Sequence, residues 1–261
     1  MQPTSNKPAA SGQDSAAARQ QEHVILITHS YPRFKGDWRS NFIEALANGY
    51  QRNGALVTVL VPNTVGWQRT AEPSPGIRLH TYNYLPRKRW QVFGYGDAMK
   101  GDLHVNPLHA LMLPCMILCG ALQLRRLLRA QGANFVQAHW AIPNTLIALL
   151  GRFLSGTKVP VFTSFPGSDV TAITRAKVFG KLLARWIARS DFLSCNSSDL
   201  KEDLVLAGIP RDRIDLVIYG VDAQAMHFDA AARSRIRTAF GYSDDDVVLL
   251  CIGRFVAKKG F

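Results

Sequence analysis

The sequence predicts an α/β protein built on a doubly wound parallel sheet with helices on both faces. Three observations support this prediction. Short runs rich in β-branched residues alternate along the chain with longer stretches of helical periodicity. Several of these runs are almost continuously apolar, as parallel strands buried on both faces are. Finally, 47% of the residues are apolar and 19% are charged, which provides material for a core and excludes a disordered or collagen-like chain.

The strand and helix candidates follow one another in order along the chain. The strand candidates are residues 23–28, 55–61, 77–82, 134–139, 159–164, 191–195, 213–218 and 246–252. The helical candidates are residues 38–52, 106–131, 142–154, 175–189, 197–207 and 229–240. Ser197 is expected to cap the start of its helix, and Asn53-Gly54 is expected to end the first helix. Residues 83–104 have no clear period and predict a long irregular excursion.

The chain is expected to divide into three parts. Residues 1–22 are rich in Ala, Ser and Gln and lack the apolar stretch of a signal peptide, so they predict a disordered tail. Residues 23–240 form the predicted doubly wound domain. Residues 241–261 contain the last strand candidate and no strand after it, so they predict the truncated start of a second domain.

Charge and cysteine content limit the partners and the compartment. The chain has 31 Lys and Arg against 19 Asp and Glu, and this net charge of +12 predicts an anionic partner without selecting phosphorylated ligands, acidic lipid or nucleic acid. The four cysteines are scattered, which favours buried thiols in a reducing, cytoplasmic compartment. The apolar segment 108–124 is 17 residues long and is interrupted by Pro114 and Gly120, so it is not expected to span a membrane.

Polar and glycine residues gather directly after the predicted strands, where ligands of open parallel sheets bind. These residues predict a ligand crevice, and they include Gly36, His139, Gly167, Asp169, Arg254 and Lys259. The sequence has no phosphate loop, no dinucleotide fingerprint, no metalloprotease motif and no nucleophile elbow. Neither a metal nor a cofactor is therefore predicted.

In this order, the strand-end motifs resemble the retaining glycosyltransferases of family four. That family has the GT-B fold of two facing Rossmann-like domains, of which residues 23–261 resemble the acceptor-side domain and the start of the donor domain. The strongest match is GRFVAKKG at 253–260, which is similar to the Gly-Arg…Lys-Gly stretch that opens the donor domain. The weaker matches are FPGSDV at 165–170, IYGVD at 218–222 and ANFVQAHW at 133–140.

The resemblance implies transfer of a hexosyl group from a nucleotide-sugar donor to a glycan or lipid-linked acceptor, with retention at the anomeric carbon. It assigns Arg254 and Lys259 to the donor diphosphate, because two cations there stabilise the charge that develops as the glycosidic bond breaks. The implied donor- or acceptor-binding positions are Gly36, His139, Gly167 and Asp169. The family's remaining site residues have no counterpart up to residue 261, so this chain alone is expected to be inactive.

Several positions depart from the family pattern or leave alternatives open. Pro166 stands where the family commonly has a histidine near the reacting sugar carbon, so no polar role remains there. Gly36 replaces a pair of adjacent glycines and is either a phosphate contact or an ordinary turn residue. His139 is either a contact in the cleft or a hydrogen-bonded histidine at a strand end. Asp169 either contacts a hydroxyl group or caps the helix that follows.

Basic residues mixed with apolar ones predict a competing role. Four of them repeat every four positions and so lie near one face of a predicted helix: Lys177, Lys181, Arg185 and Arg189. Such faces are typical of proteins that dock on anionic lipid, but a solvated helix face has the same pattern. No RNA-recognition, zinc-finger or helix-turn-helix pattern is present, so nucleic acid is not expected. The competing hypothesis is a non-catalytic domain that binds an anionic membrane surface or a glycan.

Overall fold

A parallel sheet forms the centre of the computed structural model, which describes residues 21–93, 99–100, 104–105, 110–220, 223, 226–253 and 260. The strands of this sheet are β1 (His23–Ile27), β2 (Leu56–Pro62), β3 (Ile77–Tyr82), β6 (Phe135–His139), β7 (Val161–Phe165), β8 (Phe192–Cys195) and β9 (Ile214–Leu216). Their order across the seven-stranded sheet is β3-β2-β1-β6-β7-β8-β9. A separate antiparallel pair consists of β4 (Met99–Lys100) and β5 (His104–Val105). The predicted doubly wound parallel sheet is confirmed.

Seven helices are formed within the described residues. They are α1 (Asn41–Arg52), α2 (Leu113–Gln131), α3 (Leu146–Ser155), α4 (Ser168–Arg175), α5 (Lys177–Ile187), α6 (Ser198–Leu206) and α7 (Ala230–Phe240). Short 3-10 turns lie at Lys88–Trp90 and Arg211–Arg213, and an irregular turn lies at Ala141–Thr145, where Ile142 has the non-helical angles φ −111° and ψ 123°. The Ser197 side chain accepts a hydrogen bond from the Leu200 N–H at 3.3 Å, which confirms the predicted N-cap of α6.

The helix predicted at 175–189 is confirmed as α5, whereas the helix α4 before it was not predicted. The two helices meet at Ala176, which has φ −77° and ψ 8°. Ala176 donates its N–H to the Ile173 carbonyl, so the first helix ends before the second begins. A Cβ atom built on Gly180 would lie 1.9 Å from that same carbonyl oxygen. The absence of a side chain at Gly180 therefore allows the backbones of α4 and α5 to pack closely.

The core explains why β1 is apolar from Val24 to Ile27. Val24 and Leu26 of β1 belong to a cluster that packs against α1 on one face of the sheet. Ile25 and Ile27 belong to a second cluster that packs against α2 and α3 on the opposite face. A third cluster joins α4, α5 and α6 to β7 and β8. Both faces of the sheet are thus covered, as the continuous apolar runs predicted.

The strand predicted at 246–252 is not formed. Those residues belong to no strand, and Val247, Leu249 and Ile252 are 85–89% exposed. A parallel strand needs neighbours to pair its backbone groups and to cover its side chains, and no described strand lies beside this segment. The preceding helix α7 also has no buried residue.

The division into residues 1–22, 23–240 and 241–261 stays a prediction, and residues 1–20 lie outside the described residues.

The irregular excursion predicted at 83–104 is anchored at its start. The Tyr84 N–H donates to the side-chain oxygen of Gln91 at 3.2 Å, and the Phe93 N–H donates to the Tyr84 hydroxyl at 3.0 Å. Tyr84 and Gln91 are both buried.

Among the helices of the described part of the chain, none has the length and apolar character that crossing a membrane requires.

Candidate functional site

The candidate site lies at the carboxyl edge of β1, β6 and β7, where the parallel strands end together. The Trp140 N–H donates to the Ser164 carbonyl at 3.0 Å, so the turn that follows β6 is held against the end of β7. Trp140 has φ 62° and ψ 113°. This left-handed region is uncommon for a residue with a Cβ atom, and such backbone is concentrated at functional sites.

Asp169 ties two of the edge loops together. Its Oδ2 atom accepts from the Ala141 N–H at 2.7 Å, and its Oδ1 atom accepts from the Gly167 N–H at 3.1 Å. The side chain is buried, and burial raises the pKa of the carboxyl group to about 6, while the surrounding backbone N–H groups act in the opposite direction. Because both carboxylate oxygens already have backbone donors, the geometry supports a structural tie. Contact with a sugar hydroxyl stays a prediction.

His139 is the most unusual polar residue at this edge. It is 1% exposed, and neither ring nitrogen has a hydrogen-bond partner among the residues that the structure describes. Burial lowers the pKa of its imidazole to about 3, so the ring is neutral at pH 7. The hydrogen-bonded alternative is therefore wrong for the His139 side chain. Leaving a buried polar group unpaired costs about 1–3 kcal/mol, and such groups in folded proteins call for an explanation such as a ligand.

Two further polar residues lie beside His139 and were not predicted as site residues. Asn144, in the turn after β6, donates through Nδ2 to the His139 carbonyl and to Nδ1 of His29 at 3.0 Å. The Asn144 Oδ1 atom is buried and has no partner in the described part of the chain. Burial lowers the pKa of His29 to about 4. His29 directly follows β1, which was the available sequence signal, whereas nothing in the sequence singles out Asn144.

Aromatic side chains cover this polar group. Phe42 of α1 stacks on Tyr219 with ring centroids 5.1 Å apart, and it meets Trp140 edge-on at 5.4 Å. Phe42 also meets His139 edge-on at 6.3 Å. The Tyr219 hydroxyl lies 3.0 Å from the Ser164 hydroxyl. The IYGVD motif therefore reaches the predicted edge of the sheet through its tyrosine.

The glycines of the predicted site have different explanations. Gly36 has φ +88° and occupies the third position of a turn that the Asp37 N–H closes on the Phe34 carbonyl at 3.1 Å. This conformation is the one that glycine favours in a type II turn, which supports the ordinary-turn alternative. Gly167 has φ +128° and is the N-cap residue directly before α4.

Arg254 and Lys259 lie outside the described residues, so their role stays a prediction.

Replacing His139 with leucine is expected to preserve or raise stability at pH 7, because it removes an unpaired buried polar group. It should also reduce the loss of stability that the protein undergoes as the pH is lowered. The folded-state pKa is below the ordinary value of 6.5, so the unfolded chain binds the proton first and wild-type stability falls as the pH drops from about 6.5 towards 3. In this range the free energy of unfolding of the wild type falls by an amount that approaches roughly 1.4 kcal/mol per pH unit. Urea unfolding of both proteins at pH 7 and pH 5 measures this loss.

The comparison of the two pH values within each protein is the control for the His139 experiment, because it separates the loss of the titratable ring from a general change in stability. Equal pH dependence of the wild type and the His139→Leu variant would contradict the burial argument. A variant that is stable but has lost ligand binding would indicate that the imidazole contacts the ligand.

Comparisons with known proteins agree with this architecture. A family model described as a glycosyl transferase 4-like domain matches residues 40–220. N-acetyl-alpha-D-glucosaminyl L-malate synthase of Bacillus anthracis is 20% identical over 165 residues, which are 63% of this chain and 43% of that protein. A glycosyltransferase from Rickettsia africae has a similar structure, with a TM-score of 0.52 and 12% identity, over 86% of this chain and 51% of that chain. The N-terminal domain of Candida albicans trehalose-6-phosphate phosphatase gives a TM-score of 0.60 and 11% identity, over 88% and 56% of the two chains.

These likenesses differ in what they establish. At 11–12% identity the solved structures establish the fold alone, and the chain spans about half the length of the relatives that it matches. The family model, by contrast, covers well over half of the chain. The matched residues include α1, the turn after β6, the Asp169 tie and Tyr219, so they contain most of the candidate site. The chain belongs to the glycosyl transferase 4-like domain family.

Proposed function

We propose that the natural protein containing this chain is a retaining glycosyltransferase. It transfers a hexosyl group from a nucleotide-sugar donor to a glycan or lipid-linked acceptor. The observation that carries the proposal is the position of the family match, which covers the strand ends where buried polar atoms of His139 and Asn144 have no partner. A sugar hydroxyl both donates and accepts hydrogen bonds, so it complements a neutral imidazole and an amide oxygen.

The aromatic side chains at this edge suit the same ligand class. Phe42, Trp140 and Tyr219 present apolar ring surface beside the polar atoms, and carbohydrate-sized ligands bind in clefts that combine apolar walls with few polar groups. Phe42 and Trp140 cover the polar group in the described structure. In this proposal, the acceptor reaches His139 when these two rings move apart.

The donor side of the reaction is assigned from the sequence. The bond between the anomeric carbon and the diphosphate oxygen breaks, the acceptor oxygen bonds to the same face of that carbon, and the acceptor hydroxyl gives its proton to the leaving diphosphate. Arg254 and Lys259 stabilise the leaving diphosphate, Arg254 as a two-pronged donor and Lys259 as a point charge. We assign residues 241–261 to the start of a donor-binding domain. The chain spans 43–56% of the length of the relatives that it matches.

A second candidate function is a non-catalytic domain that binds a membrane surface or a glycan. Pro166 favours it, because its side chain can neither donate nor accept a hydrogen bond where the family commonly has a histidine. In both proposals the protein is cytoplasmic and contacts the inner face of the membrane peripherally.

Release of a nucleoside diphosphate by the natural full-length protein tests the choice between the two functions. The protein is incubated with UDP-, GDP- and ADP-linked hexoses, each with and without a membrane extract as the source of acceptor. The proposed transferase should release diphosphate from one donor class in an acceptor-dependent manner, and NMR of the product should show the anomeric configuration of the donor. A folded full-length protein that releases nothing with any donor would favour the non-catalytic function.

A further inference from the structure

The charge distribution of the chain is strongly uneven. Between residues 103 and 190 there are ten basic residues, namely Arg125, Arg126, Arg129, Arg152, Lys158, Arg175, Lys177, Lys181, Arg185 and Arg189. The same segment contains one acidic residue, Asp169, which is buried and bound to backbone N–H groups. This segment spans α2 to α5, so the surface built by these helices is cationic and has almost no acidic group to neutralise it.

An apolar groove with a volume of about 1050 Å³ lies on this cationic surface, between α3 and α5. Its walls include Phe153 of α3 and Phe179, Leu182 and Trp186 of α5. Phe153 is 80% exposed, Phe179 is 67% exposed and Trp186 is 49% exposed. Soluble monomers rarely expose this much contiguous apolar surface unless it contacts a partner or a membrane.

Basic side chains border the apolar wall on α5. At 100° per residue, Phe179, Leu182 and Trp186 lie on one flank of the helix, and Lys181 and Arg185 lie on the adjacent flank. Lys181 and Arg185 are exposed, and neither has an ion pair within the described residues.

The arginines at the rim of the groove differ from each other. The Arg189 guanidinium lies 4.3 Å from the centre of the Trp186 ring, and this side chain too is exposed. Arg152 is paired with Asp191 at 2.5 Å and therefore belongs to the scaffold of the groove. Among these rim cations, Lys181 and Arg185 of α5 and Arg189 directly after it have no ion pair within the described residues, and they lie beside the aromatic side chains.

We propose that this groove and α5 dock on a bilayer that contains anionic phospholipid. Phe153, Phe179 and Trp186 enter the acyl-chain boundary, and Lys181, Arg185 and Arg189 bind the headgroups. A second copy of this chain fits poorly, because it would bring two cationic rims together in a molecule of net charge +12. The proposal deepens the proposed function and rests on it for the claim that the acceptor is lipid-linked.

Co-sedimentation with vesicles tests the docking surface. The chain and the natural full-length protein are each mixed with vesicles of neutral phosphatidylcholine, or of phosphatidylcholine with 30 mol% phosphatidylglycerol. Both proteins should bind the anionic vesicles, and binding should weaken as salt is added. Arg185→Glu is expected to weaken binding roughly fivefold or more, and Phe179→Ser roughly tenfold.

Matched controls lie on α7, away from the groove. Arg235 is exposed there and is the control for Arg185. Phe240 is 68% exposed, which is close to the value for Phe179, and it is the control for that residue. Arg235→Glu changes the net charge as much as Arg185→Glu does, so equal loss in these two variants would reduce the effect to net charge and overturn the proposal. Circular dichroism and thermal unfolding check that each variant is folded.

The remaining outcomes separate this proposal from the proposed function. Equal binding to neutral and anionic vesicles overturns the docking surface, as does a full-length protein that binds neither. Transfer to a water-soluble acceptor without vesicle binding would contradict the docking surface alone. Vesicle binding through α5 without transfer from any donor would contradict the transferase alone.

Discussion

Replacing Arg254 with alanine in the natural full-length protein is expected to lower kcat for sugar transfer about 10²–10³-fold, as removal of one preorganised charge-stabilising group does in other enzymes. The expected effect falls on kcat, because the diphosphate gains charge as the glycosidic bond breaks. Arg254→Lys should retain part of the activity, since it keeps the charge but loses the two-pronged geometry. Steady-state kinetics with a saturating donor measure the change.

Lys258 provides the matched control for this experiment. It is adjacent to Lys259 in the sequence, but the resemblance assigns the diphosphate contact to Lys259 alone. Lys258→Ala should therefore leave kcat nearly unchanged, whereas Lys259→Ala should lower it by a factor similar to that of Arg254→Ala. Unchanged activity in the Arg254→Ala variant would remove the basis of the site assignment.

Replacing Gly180 with alanine is expected to destabilise the fold by roughly 1–3 kcal/mol or more, the cost of overpacking. The added Cβ atom would lie 1.9 Å from the Ile173 carbonyl oxygen, and a backbone atom cannot rotate away as a side chain can. The helices α4 and α5 must then separate, which disturbs the cluster that joins them to β7 and β8. At about 2–4 °C per kcal/mol, Tm should fall by roughly 3–10 °C.

The same chemical change at Gly49 should have the opposite sign. Gly49 lies inside α1, and a Cβ atom built there meets no atom within 4 Å. Gly49→Ala should therefore stabilise the protein by about 0.5–1 kcal/mol, because alanine loses less backbone entropy in a helix. A Gly180→Ala variant as stable as Gly49→Ala would show that α4 and α5 tolerate a wider separation.

The sheet could be predicted from the sequence because burial on both faces leaves a nearly continuous apolar run in several strands, β1 and β2 among them. The same signal failed at 246–252, since an apolar run records a tendency to be buried and not the presence of a neighbouring strand. The helix α4 was missed for a different reason. Its segment, SDVTAITR, is short, and six of its eight residues have weak helix propensity. Contacts with β7 and α6 therefore determine its conformation.

The site was predicted less completely than the fold. Strand ends could be found from the sequence, so His139, Gly167 and Asp169 were correctly placed at the carboxyl edge. The partners of these residues could not be found. Phe42 contacts His139 although nearly one hundred residues separate them in the sequence, and such contacts depend on the order of the strands in the sheet. Motifs therefore located the edge, and packing determined which side chains share it.

The Asp169 tie also has a consequence for the dynamics of the edge. One carboxylate holds the Ala141 amide, in the turn after β6, and the Gly167 amide, at the start of α4. Neither loop can open while keeping that carboxylate fully bonded, so the two loops form one cooperative unit. A ligand that displaces one loop would therefore change the energy of the other, so two ligands at this edge would bind with coupled free energies even where they do not touch.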